Sequence, residues 1–320
     1  MKKYTCGSFF GGVGGIDLGF QNEGFETIYM NEIDPFPAAT FECNFPVKVD
    51  VRDINVVQPD EIPDFDVITG GFPCQSFSVA GLRQGFDDEK NRGTLFFQLV
   101  RIMETKRPRV CFFENVKNLV GHDNGNTFKV ICGKLEELGY KVKSKVLNTM
   151  EYGNVPQTRE RIYIVGFRDE KDYERFEFPT PIPLTKTIRD FIDFENPVDE
   201  SFYYTKEKYD CFDMIKDGVK RSDTLYQWRR VYVRENKSNV CPTLTCNMGT
   251  GGHNVPLILT DDGRIRKLTP RECFNLQGFP KDFKLPKQSN GRLYKQSGNS
   301  VSVPVIQRIA ANIKKVLDEK

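Results

Sequence analysis

The residue best suited to chemistry in this sequence is Cys74, which closes a Gly-Gly-Phe-Pro-Cys stretch that begins at Gly70. The apolar run Asp66–Thr69 precedes the stretch and predicts a buried strand. In an open α/β sheet, ligands bind in the crevice outside the carboxyl ends of the strands. Cys74 is therefore predicted to be a nucleophile on a tight turn at such an edge. A single cysteine does not define a reaction. The reaction has to be inferred from the other residues that are predicted to lie at the same edge of the sheet.

A glycine cluster near the amino terminus predicts a nucleotide site. The segment 4–10 is a predicted strand, Gly11–Gly15 follows it, and an amphipathic helix begins at Ile16. Strand, glycine turn and helix open many nucleotide-binding α/β units, because glycine lets the backbone approach a ligand and the helix offers free N–H groups. The pattern is Phe-x-Gly-x-Gly-Gly and not the dinucleotide motif, so a tight turn without a ligand remains an alternative.

Three acids come shortly after predicted strands, at the same expected edge of the sheet. Glu32 lies 18 residues after Gly14, about where such folds bind ribose hydroxyls. Asp53 follows the predicted strand Val47–Val51 and is a candidate acceptor for an adenine amino group. Glu114 follows a buried strand and could donate a proton or hydrogen bond. Each acid alone is more often a helix cap or a surface charge.

Cysteine, acid and adenosine pocket together indicate one reaction. A thiolate that adds to C6 of a cytosine ring makes C5 nucleophilic, and an acid at N3 makes that addition easier. With an adenosine-type methyl donor, this combination predicts methylation of cytosine at C5.

Composition indicates a globular protein, and the charge distribution indicates that it could bind a polyanion. Of the 320 residues, 38% are hydrophobic and 28% are charged, and no apolar run is long enough to span a membrane. Net charge is −4 over residues 1–160 and +6 over residues 161–320. The basic second half suits nucleic acid, although a solvated basic surface is the alternative. With no signal-peptide core, a cytoplasmic location is expected.

The number and spacing of the cysteines argue against a fold that is stabilised by disulfides or by a bound metal. The nine cysteines include no Cys-x-x-Cys pair, and there are two histidines. We therefore expect neither a disulfide framework nor a metal site.

The regular alternation of strands and helices stops near residue 170, where prolines cluster. We predict a Rossmann-like α/β methyltransferase sheet formed by residues 1–185 plus 295–320, and a smaller irregular domain formed by residues 186–294. Basic and aromatic residues in 228–234, and a glycine-rich segment at 243–254, could follow a phosphate backbone and reach base edges. An ordinary β-hairpin with surface arginines is the alternative. The segment 80–92 is predicted to be a lid over the substrate or a disordered connection.

Over nearly its whole length, the sequence resembles the bacterial DNA (cytosine-5)-methyltransferases of restriction–modification systems. The motifs occur in the family order, and His122–Thr127 is shared with its compact members. The matching blocks are Phe10-x-Gly12-x-Gly14-Gly15, Asn31-Glu32, Asp53-Ile54, Gly71-Phe72-Pro73-Cys74-Gln75, Arg92-Gly93-Thr94-Leu95, Glu114-Asn115-Val116, Gln157-Thr158-Arg159-Glu160-Arg161, Arg271-Glu272-Cys273, Gln277-Gly278-Phe279-Pro280 and Gly298-Asn299-Ser300-Val301.

The resemblance implies a role for each matching position. Cys74 would attack C6, Glu114 would hold N3 and the exocyclic amine, and Arg161, with Arg159 in the same motif, would complete the catalytic group. The pocket for S-adenosyl-L-methionine would comprise Phe10, Gly12, Gly14, Gly15, Glu32, Ile33, Asp53, Ile54, Pro73, Leu95, Asn299 and Ser300. DNA would be contacted by Gln75, Ser76, Ser78, Arg92, Arg229, Arg230, Arg234, Thr243, Leu244, Gly251 and Gly252.

The implied partner is double-stranded DNA, bound by a monomer that flips the target base out of the helix. A companion restriction endonuclease is expected from the type of system. Three positions depart from the family pattern: Ser8 replaces an acid, Ile33 replaces an aromatic residue, and Arg52 replaces a glycine. All three bear on cofactor affinity and none on the reaction type.

Three other functions were weighed as alternatives. An RNA-methylating branch of the family carries a Cys-Phe-Thr signature, which is missing here, the nearest stretches being Cys211-Phe212-Asp213 and Cys273-Phe274-Asn275. A catalytically silent DNA-binding module would lack Cys74, Glu114 or Arg161, and all three are present. A nicotinamide dehydrogenase would use the glycine turn but would leave the cysteine and its acid without a role.

Overall fold

The computed structural model describes residues 3–72, 95–248 and 255–319. They form two compact units. The first unit comprises 1–147, 160–180 and 305–320, and the second comprises 148–159 and 181–304, apart from the residues outside the described ranges. The segments 148–159, 181–185 and 295–304 thus belong to the second unit, whereas the sequence-based boundaries place them in the first domain.

The first unit contains a six-stranded sheet flanked by helices. Its strands are β1 (Thr5–Phe9), β2 (Glu26–Asn31), β3 (Val67–Gly70), β4 (Val110–Val116), β5 (Lys141–Asn148) and β6 (Glu160–Phe167). Its helices are α1 (Gly15–Asn22), α2 (Pro35–Glu42), α3 (Leu95–Lys106), α4 (Asn126–Glu137), α6 (Glu170–Arg175) and most of α10 (Val303–Asp318), with 3₁₀ turns at Pro59–Glu61 and Lys117–Gly125.

The strand order is β2-β1-β3-β4-β6-β5. β1, β2, β3 and β4 pair in parallel, and β4 pairs with β6 antiparallel. Gly70 pairs with Phe9 on one side and Phe113 on the other, so β1 and β3 end at the same level, and β4 continues three residues further to Val116. Chain order reverses at β1, which lies between β2 and β3, and ligands of doubly wound folds bind at such a point. The predicted fold class is confirmed.

The core of the first unit follows from its sequence pattern. β3 and most of β4 are buried on both faces, which explains their nearly continuous apolar runs. Ile131 and Leu135 lie one helical turn apart on α4 and are fully buried, as their spacing predicts.

One predicted strand is wrong. Val47–Val51 forms no strand, and its only pairing is an isolated bridge between Asp50 and Asn31. The Asn31 side chain donates to the backbone carbonyls of Asp50 and Arg52, each at 2.9 Å. The Glu32 N–H also donates to the Asp50 carbonyl, but the Arg52 carbonyl is taken by Asn31 and the Arg52 N–H by Asp50 Oδ1, so the backbone ladder does not extend beyond one bridge.

The second unit has short strands and long irregular connections, as expected for the smaller domain. β7 (Tyr226–Trp228), β8 (Val233–Glu235), β9 (Leu257–Leu259) and β10 (Ile265–Lys267) form an antiparallel sheet in the order β10-β9-β7-β8. Its helices are α5 (Thr149–Tyr152), α7 (Phe212–Gly218), α8 (Pro270–Asn275) and α9 (Asn290–Asn299), with 3₁₀ turns at Ile188–Asp190 and Glu200–Phe202.

A buried ion pair lies inside the second unit. Arg266 is fully buried and donates to both oxygens of Glu272, at 2.9 and 2.7 Å, and to the carbonyl of Asp193. The bidentate geometry offsets the cost of burying the two charges. Among the described residues, no helix is both long and apolar enough to cross a membrane.

Candidate active site

An acid and a guanidinium meet at the carboxyl end of β4. Glu114 and Arg161 come from antiparallel strands, with Glu114 paired to Tyr163 and Val116 paired to Arg161. The Glu114 Oε1 and Arg161 Nε atoms are 3.1 Å apart, and the two side chains are only 10% and 13% exposed. The Arg161 Nη1 also donates to the carbonyl of Glu160 at 2.8 Å. The structure therefore brings together two residues of the predicted catalytic group.

The residues that lead to Cys74 are held beside Glu114. Cys74 itself lies outside the described residues. A Cβ built on Gly71 would lie 3.7 Å from Glu114 Oε2, and Asn115 Nδ2 donates to the carbonyl of Phe72 at 2.8 Å. The Asn115 Oδ1 accepts from the backbone N–H of Val116, which fixes the amide. Sequence reasoning recognised Asn115 only as part of a motif, and its place at the end of a predicted buried strand was the available signal. In the structure its side chain is 4% exposed.

The glycine turn after β1 is shaped by packing on one side and is open on the other. Gly14 caps α1 with a φ of 86°, and a Cβ there would lie 2.5 Å from the Phe45 ring and 2.7 Å from the Phe41 ring. Gly12 also has a positive φ, 59°, but a Cβ there would meet no atom of a described residue within 4 Å. Gly12 thus borders an open space that suits the close approach of a ligand to the backbone.

The carboxylate of Glu32 is fixed against this turn. Its Oε2 accepts from the Gly12 N–H at 3.0 Å, and its Oε1 accepts from the Asp34 N–H at 2.9 Å. Ile33, the next residue, exposes 58% of its surface. An oriented acid beside exposed apolar surface fits a ribose and a purine ring, so these residues fit the predicted S-adenosyl-L-methionine pocket.

The other predicted pocket residues of the first unit occupy different environments. Asp53 is exposed, and its Oδ1 accepts from both the backbone and the side chain of Asn55, at 3.0 and 2.8 Å. Ile54 is buried in the core, and Phe10, in a left-handed conformation, packs against the same core. Leu95 is the first residue of α3, and Gly15 is the buried first residue of α1.

Sequence reasoning missed a buried acid below the glycine turn. Asp17 is 2% exposed and accepts hydrogen bonds from Ser8 Oγ at 3.0 Å and Thr27 Oγ1 at 2.8 Å. Burial raises the pKa of Asp17 to about 6. Ser8, which stands where the family pattern has an acid, thus hydrogen-bonds to an acid on α1. An aspartate on the apolar face of a predicted helix was the signal that could have revealed it.

The structure gives Arg159 a different environment from that of Arg161. It lies in the second unit at 2% exposure. Its guanidinium donates to the backbone carbonyls of Leu244 at 2.8 Å and Gly298 at 3.1 Å, and also to that of Ser300. Leu244 is itself buried at 1% exposure, and its N–H donates to Gln157 Oε1 at 3.3 Å. Arg159 therefore joins two predicted binding segments, Thr243-Leu244 and the end of α9, and Gln157 holds the first of them with a second bond.

A basic groove lies beside the β7–β8 hairpin in the second unit. Its volume is about 360 Å³, and Gln227 and Arg234 are direct cross-strand partners in it. At the hairpin turn, Arg230 has a φ of 65° and Val231 is 81% exposed. The groove is lined by Gln227, Arg229, Arg234, Pro242, Thr243 and Thr245.

The remaining predicted residues divide into two groups. In the second unit, Asn299 ends α9 and is exposed, while Ser300 is buried. The others lie outside the described residues, namely Pro73, Cys74, Gln75, Ser76, Ser78, Arg92, Gly251 and Gly252.

Comparison with known proteins identifies the family. The family model of C-5 cytosine-specific DNA methylase matches residues 4–315. The chain belongs to this family. It is therefore a DNA (cytosine-5)-methyltransferase, as the catalytic motifs predict. This methylase is 59% identical over 309 residues to the Type II methyltransferase M.Bsp6I of Bacillus sp. (strain RFL6), covering 96% of this chain and 98% of that protein.

A second relative agrees with this assignment, and a solved structure shares the fold. The methylase is 38% identical over 322 residues to the Type II methyltransferase M.HhaI of Haemophilus parahaemolyticus, covering 97% of this chain and 94% of that protein. A crystal structure of a DNMT2 mutant from Spodoptera frugiperda matches with a TM-score of 0.75 and 19% identity, covering 98% of this chain and 100% of that one. The latter likeness shows the shared fold.

Proposed function

We propose that this methylase transfers a methyl group from S-adenosyl-L-methionine to C5 of a flipped-out cytosine within a short specific sequence of double-stranded DNA. The transfer proceeds through a covalent bond between Cys74 Sγ and C6 of the base. The observation that carries the proposal is the Glu114–Arg161 pair, which lies directly beside the Gly71-Phe72 approach to Cys74.

The chain's own residues account for the chemistry at the base. The Cys74 thiolate forms a bond to C6, and the electron pair of the C5–C6 double bond moves to C5. Glu114 supplies a proton or hydrogen bond at N3, which stabilises the negative charge that enters the ring. Arg161 hydrogen-bonds O2 and orients Glu114 through their 3.1 Å contact. After C5 is methylated, its proton leaves to a base, the Sγ–C6 bond breaks and the double bond is restored.

The cofactor site rests on the fixed carboxylate of Glu32 and the open backbone at Gly12. Glu32 binds ribose hydroxyls, Ile33 covers the adenine ring, and Asp53 accepts from the adenine amino group. When bound, S-adenosyl-L-methionine supplies an electrophilic methyl group on its sulfonium sulfur.

DNA reading is assigned to the second unit. Arginine, glutamine and threonine side chains recognise base edges and phosphates, and Gln227, Arg234 and Thr243 line one groove. The target base has to leave the helix, because its C5 and C6 atoms cannot be reached from both faces within the stack. Thr243 is held in place by donating its hydroxyl to the carbonyl of Thr158 at 2.5 Å.

The reaction is tested with tritiated S-adenosyl-L-methionine and plasmid DNA. Label at C5 of cytosine, confined to one sequence by bisulfite sequencing, is the expected result. Plasmid DNA that stays unlabelled refutes the reaction, and label at unrelated cytosines refutes its sequence specificity. Transfer RNA as the better substrate would favour the RNA-methylating alternative.

Replacement of the nucleophile separates chemistry from binding. Cys74→Ser should lose nearly all turnover while binding of cofactor and DNA stays within a few-fold, because a hydroxyl is a much weaker nucleophile than a thiolate. Single-turnover methylation and DNA-binding assays measure the two effects. Cys43→Ser is the matched control, since Cys43 is an exposed free cysteine. Turnover by Cys74→Ser equal to that of the parent would remove Cys74 from the mechanism.

The biological role follows from the same site specificity. We propose that the methylase protects its host's DNA from a companion endonuclease that cuts the same sequence. Plasmid recovered from cells that express the methylase should resist cleavage by that endonuclease. A gene neighbourhood without any endonuclease reading frame would argue against this role.

A further inference from the structure

Arg52 forms a clasp between two carboxylates in the first unit. Its Nε and Nη2 donate to Asp50 Oδ1 and Oδ2 at 3.0 and 2.7 Å, and its Nη1 donates to Glu61 Oε2 at 2.7 Å. A guanidinium is planar and fixes the direction of each such contact. Hydrogen bonding to Arg52 lowers the pKa of Asp50, which keeps this carboxylate ionised. Arg52 thereby closes the segment 50–61.

The clasp is tied to the end of β2. The Tyr29 hydroxyl donates to Asp50 Oδ2 at 2.9 Å, and the Asp50 N–H donates to the Met30 carbonyl at 2.8 Å. The Glu32 N–H donates to the Asp50 carbonyl at 3.1 Å, and Asn31 Nδ2 donates to that of Arg52. The backbone on which Arg52 stands is therefore registered to Glu32, the proposed ribose ligand.

The turn inside the clasp is anchored on its other side by α3. Arg101 Nη2 donates to the carbonyls of Ile54 and Val57 at 3.0 and 2.8 Å, and both of these side chains are buried. Asp53 stands between Arg52 and these anchors with an exposed carboxylate. Its Oδ1 is occupied by Asn55, while Oδ2 accepts no hydrogen bond from a described residue.

We propose that Arg52 is a positioning residue of the cofactor site, which acts by holding the Asp53 carboxylate in place for the adenine amino group. The inference rests on the proposed adenosine pocket. Arg52 is about half exposed, and exposed ion pairs add little to folding stability. The consequence of the clasp is therefore the fixed geometry of an acceptor, which reduces the ordering cost of binding.

The structure offers a matched control in the second unit. Arg221 makes the same type of clasp, with Asp223 at 2.8 and 2.7 Å and Glu235 at 3.4 Å. Its side chain is 49% exposed, against 48% for Arg52. Arg221→Met therefore measures what the loss of an exposed two-carboxylate clasp does by itself.

The test is calorimetric binding of S-adenosyl-L-homocysteine to the full-length protein. We expect affinity to fall about five-fold for Arg52→Met, which keeps the apolar stem, and to stay unchanged for Arg221→Met. Arg52→Lys keeps the charge without the planar fork, so it should lose most of the same affinity. The thermal unfolding midpoints of all three variants should remain within a few degrees of the parent.

A second ligand locates the effect at Asp53. In the desamino analogue of S-adenosyl-L-homocysteine, a hydrogen replaces the adenine amino group. This ligand therefore cannot make the proposed contact with Asp53. The parent protein should bind this analogue about ten-fold more weakly than S-adenosyl-L-homocysteine, and Arg52→Met should add no further loss.

Each of the other outcomes shows whether the positioning role of Arg52 or the assignment of Asp53 to the adenine amino group is wrong. If Arg52→Met binds S-adenosyl-L-homocysteine as tightly as the parent does, the positioning role is wrong, and the proposed adenosine pocket is unaffected by this result. Equal losses for the two ligands in Arg52→Met, or full affinity in Arg52→Lys, also overturn it, because the effect would then not pass through the geometry of Asp53. If the parent binds the two ligands equally, the assignment of Asp53 to the adenine amino group fails first.

Discussion

At the scale of single residues, the candidate site depends on charges that are oriented before any ligand arrives. Glu114 is held by Arg161 at 3.1 Å, and Glu32 is held by two backbone N–H groups. Asp17 is fixed by two hydroxyls below the glycine turn. Pre-oriented groups do not have to reorganise when charge develops in the substrate, and this lowers the barrier.

Glu114→Gln should lower the rate of methyl transfer by roughly 10²-fold or more, because an amide cannot give a proton to N3. Single-turnover rates at saturating DNA and cofactor measure the loss. Glu137→Gln provides the control, since Glu137 is an exposed acid paired with Lys134 on α4. A Glu114→Gln rate equal to that of the parent would exclude Glu114 from the reaction.

Asp17 should give the methylase a distinctive pH dependence of stability. Its pKa is raised from 3.8 to about 6 by burial, so the folded state binds the proton more tightly than the unfolded state. The stabilisation is complete below about pH 4 and is lost as the pH rises through about 6, a change of ~2–3 kcal/mol.

The test compares urea unfolding of the parent and of Asp17→Asn from pH 4.5 to pH 7.5. The free energy of unfolding should fall less steeply with rising pH in Asp17→Asn than in the parent. Asp64→Asn is the control, because the Asp64 side chain is 88% exposed. Parallel curves for the parent and Asp17→Asn would show that Asp17 does not titrate in this range.

At the scale of elements, neighbouring strands bring Glu114 and Arg161 together in the first unit, and a hairpin in the second unit borders the groove that we propose reads DNA. The register between β3 and β4 places Gly70 beside Phe113, so the turn towards Cys74 starts next to Glu114. In the second unit, Arg234 on β8 faces Gln227 on β7 across a groove. Regular elements fix such pairs more tightly than loops do, which suits sequence reading.

We expect the Arg234 guanidinium to contact a base edge of the recognition sequence. Arg234→Met should therefore weaken binding to DNA that contains this sequence by ~1–3 kcal/mol, and should weaken binding to unrelated DNA less. Fluorescence anisotropy on the two duplexes at several salt concentrations measures both terms. Arg189→Met is the control, because Arg189 is neutralised by a bidentate pair with Asp261. An equal loss on both duplexes would instead assign Arg234 to the phosphate backbone.

At the scale of the whole molecule, the charge is divided between the halves of the chain. Residues 161–320 carry a net charge of +6, whereas residues 1–160 carry −4. Such an asymmetry favours association of the basic half with DNA and makes binding sensitive to salt.

A single chain should suffice for the reaction, because one flipped base needs one catalytic site and one reading groove. Sedimentation or light scattering should give the monomer mass of 36.8 kDa, and a complex with DNA should contain one chain. Methylation rates that rise with the square of protein concentration would contradict this expectation.

The sequence by itself determined the reaction type and the fold class. Strand periodicity, glycine turns and the motif order are local properties, so they can be read without coordinates. These patterns placed Glu32 and Glu114 at the ends of strands. In the structure, Glu32 directly follows β2, and Glu114 is among the last three residues of β4. The strand predicted at Val47–Val51 failed because the next backbone groups, those of Arg52, bond to the side chains of Asn31 and Asp50 and not to the backbone of β2.

Only the tertiary structure decided which side chains support the site and which ones touch each other. Arg159 binds carbonyls 85, 139 and 141 residues away, Asp17 is enclosed by β1 and β2, and Arg52 reaches Glu61. These contacts depend on how distant segments pack, and a charged residue in a linear sequence carries no record of its burial or of its partners. The sequence therefore predicted which residues react, and the fold showed which contacts hold Glu114 and Glu32 in place.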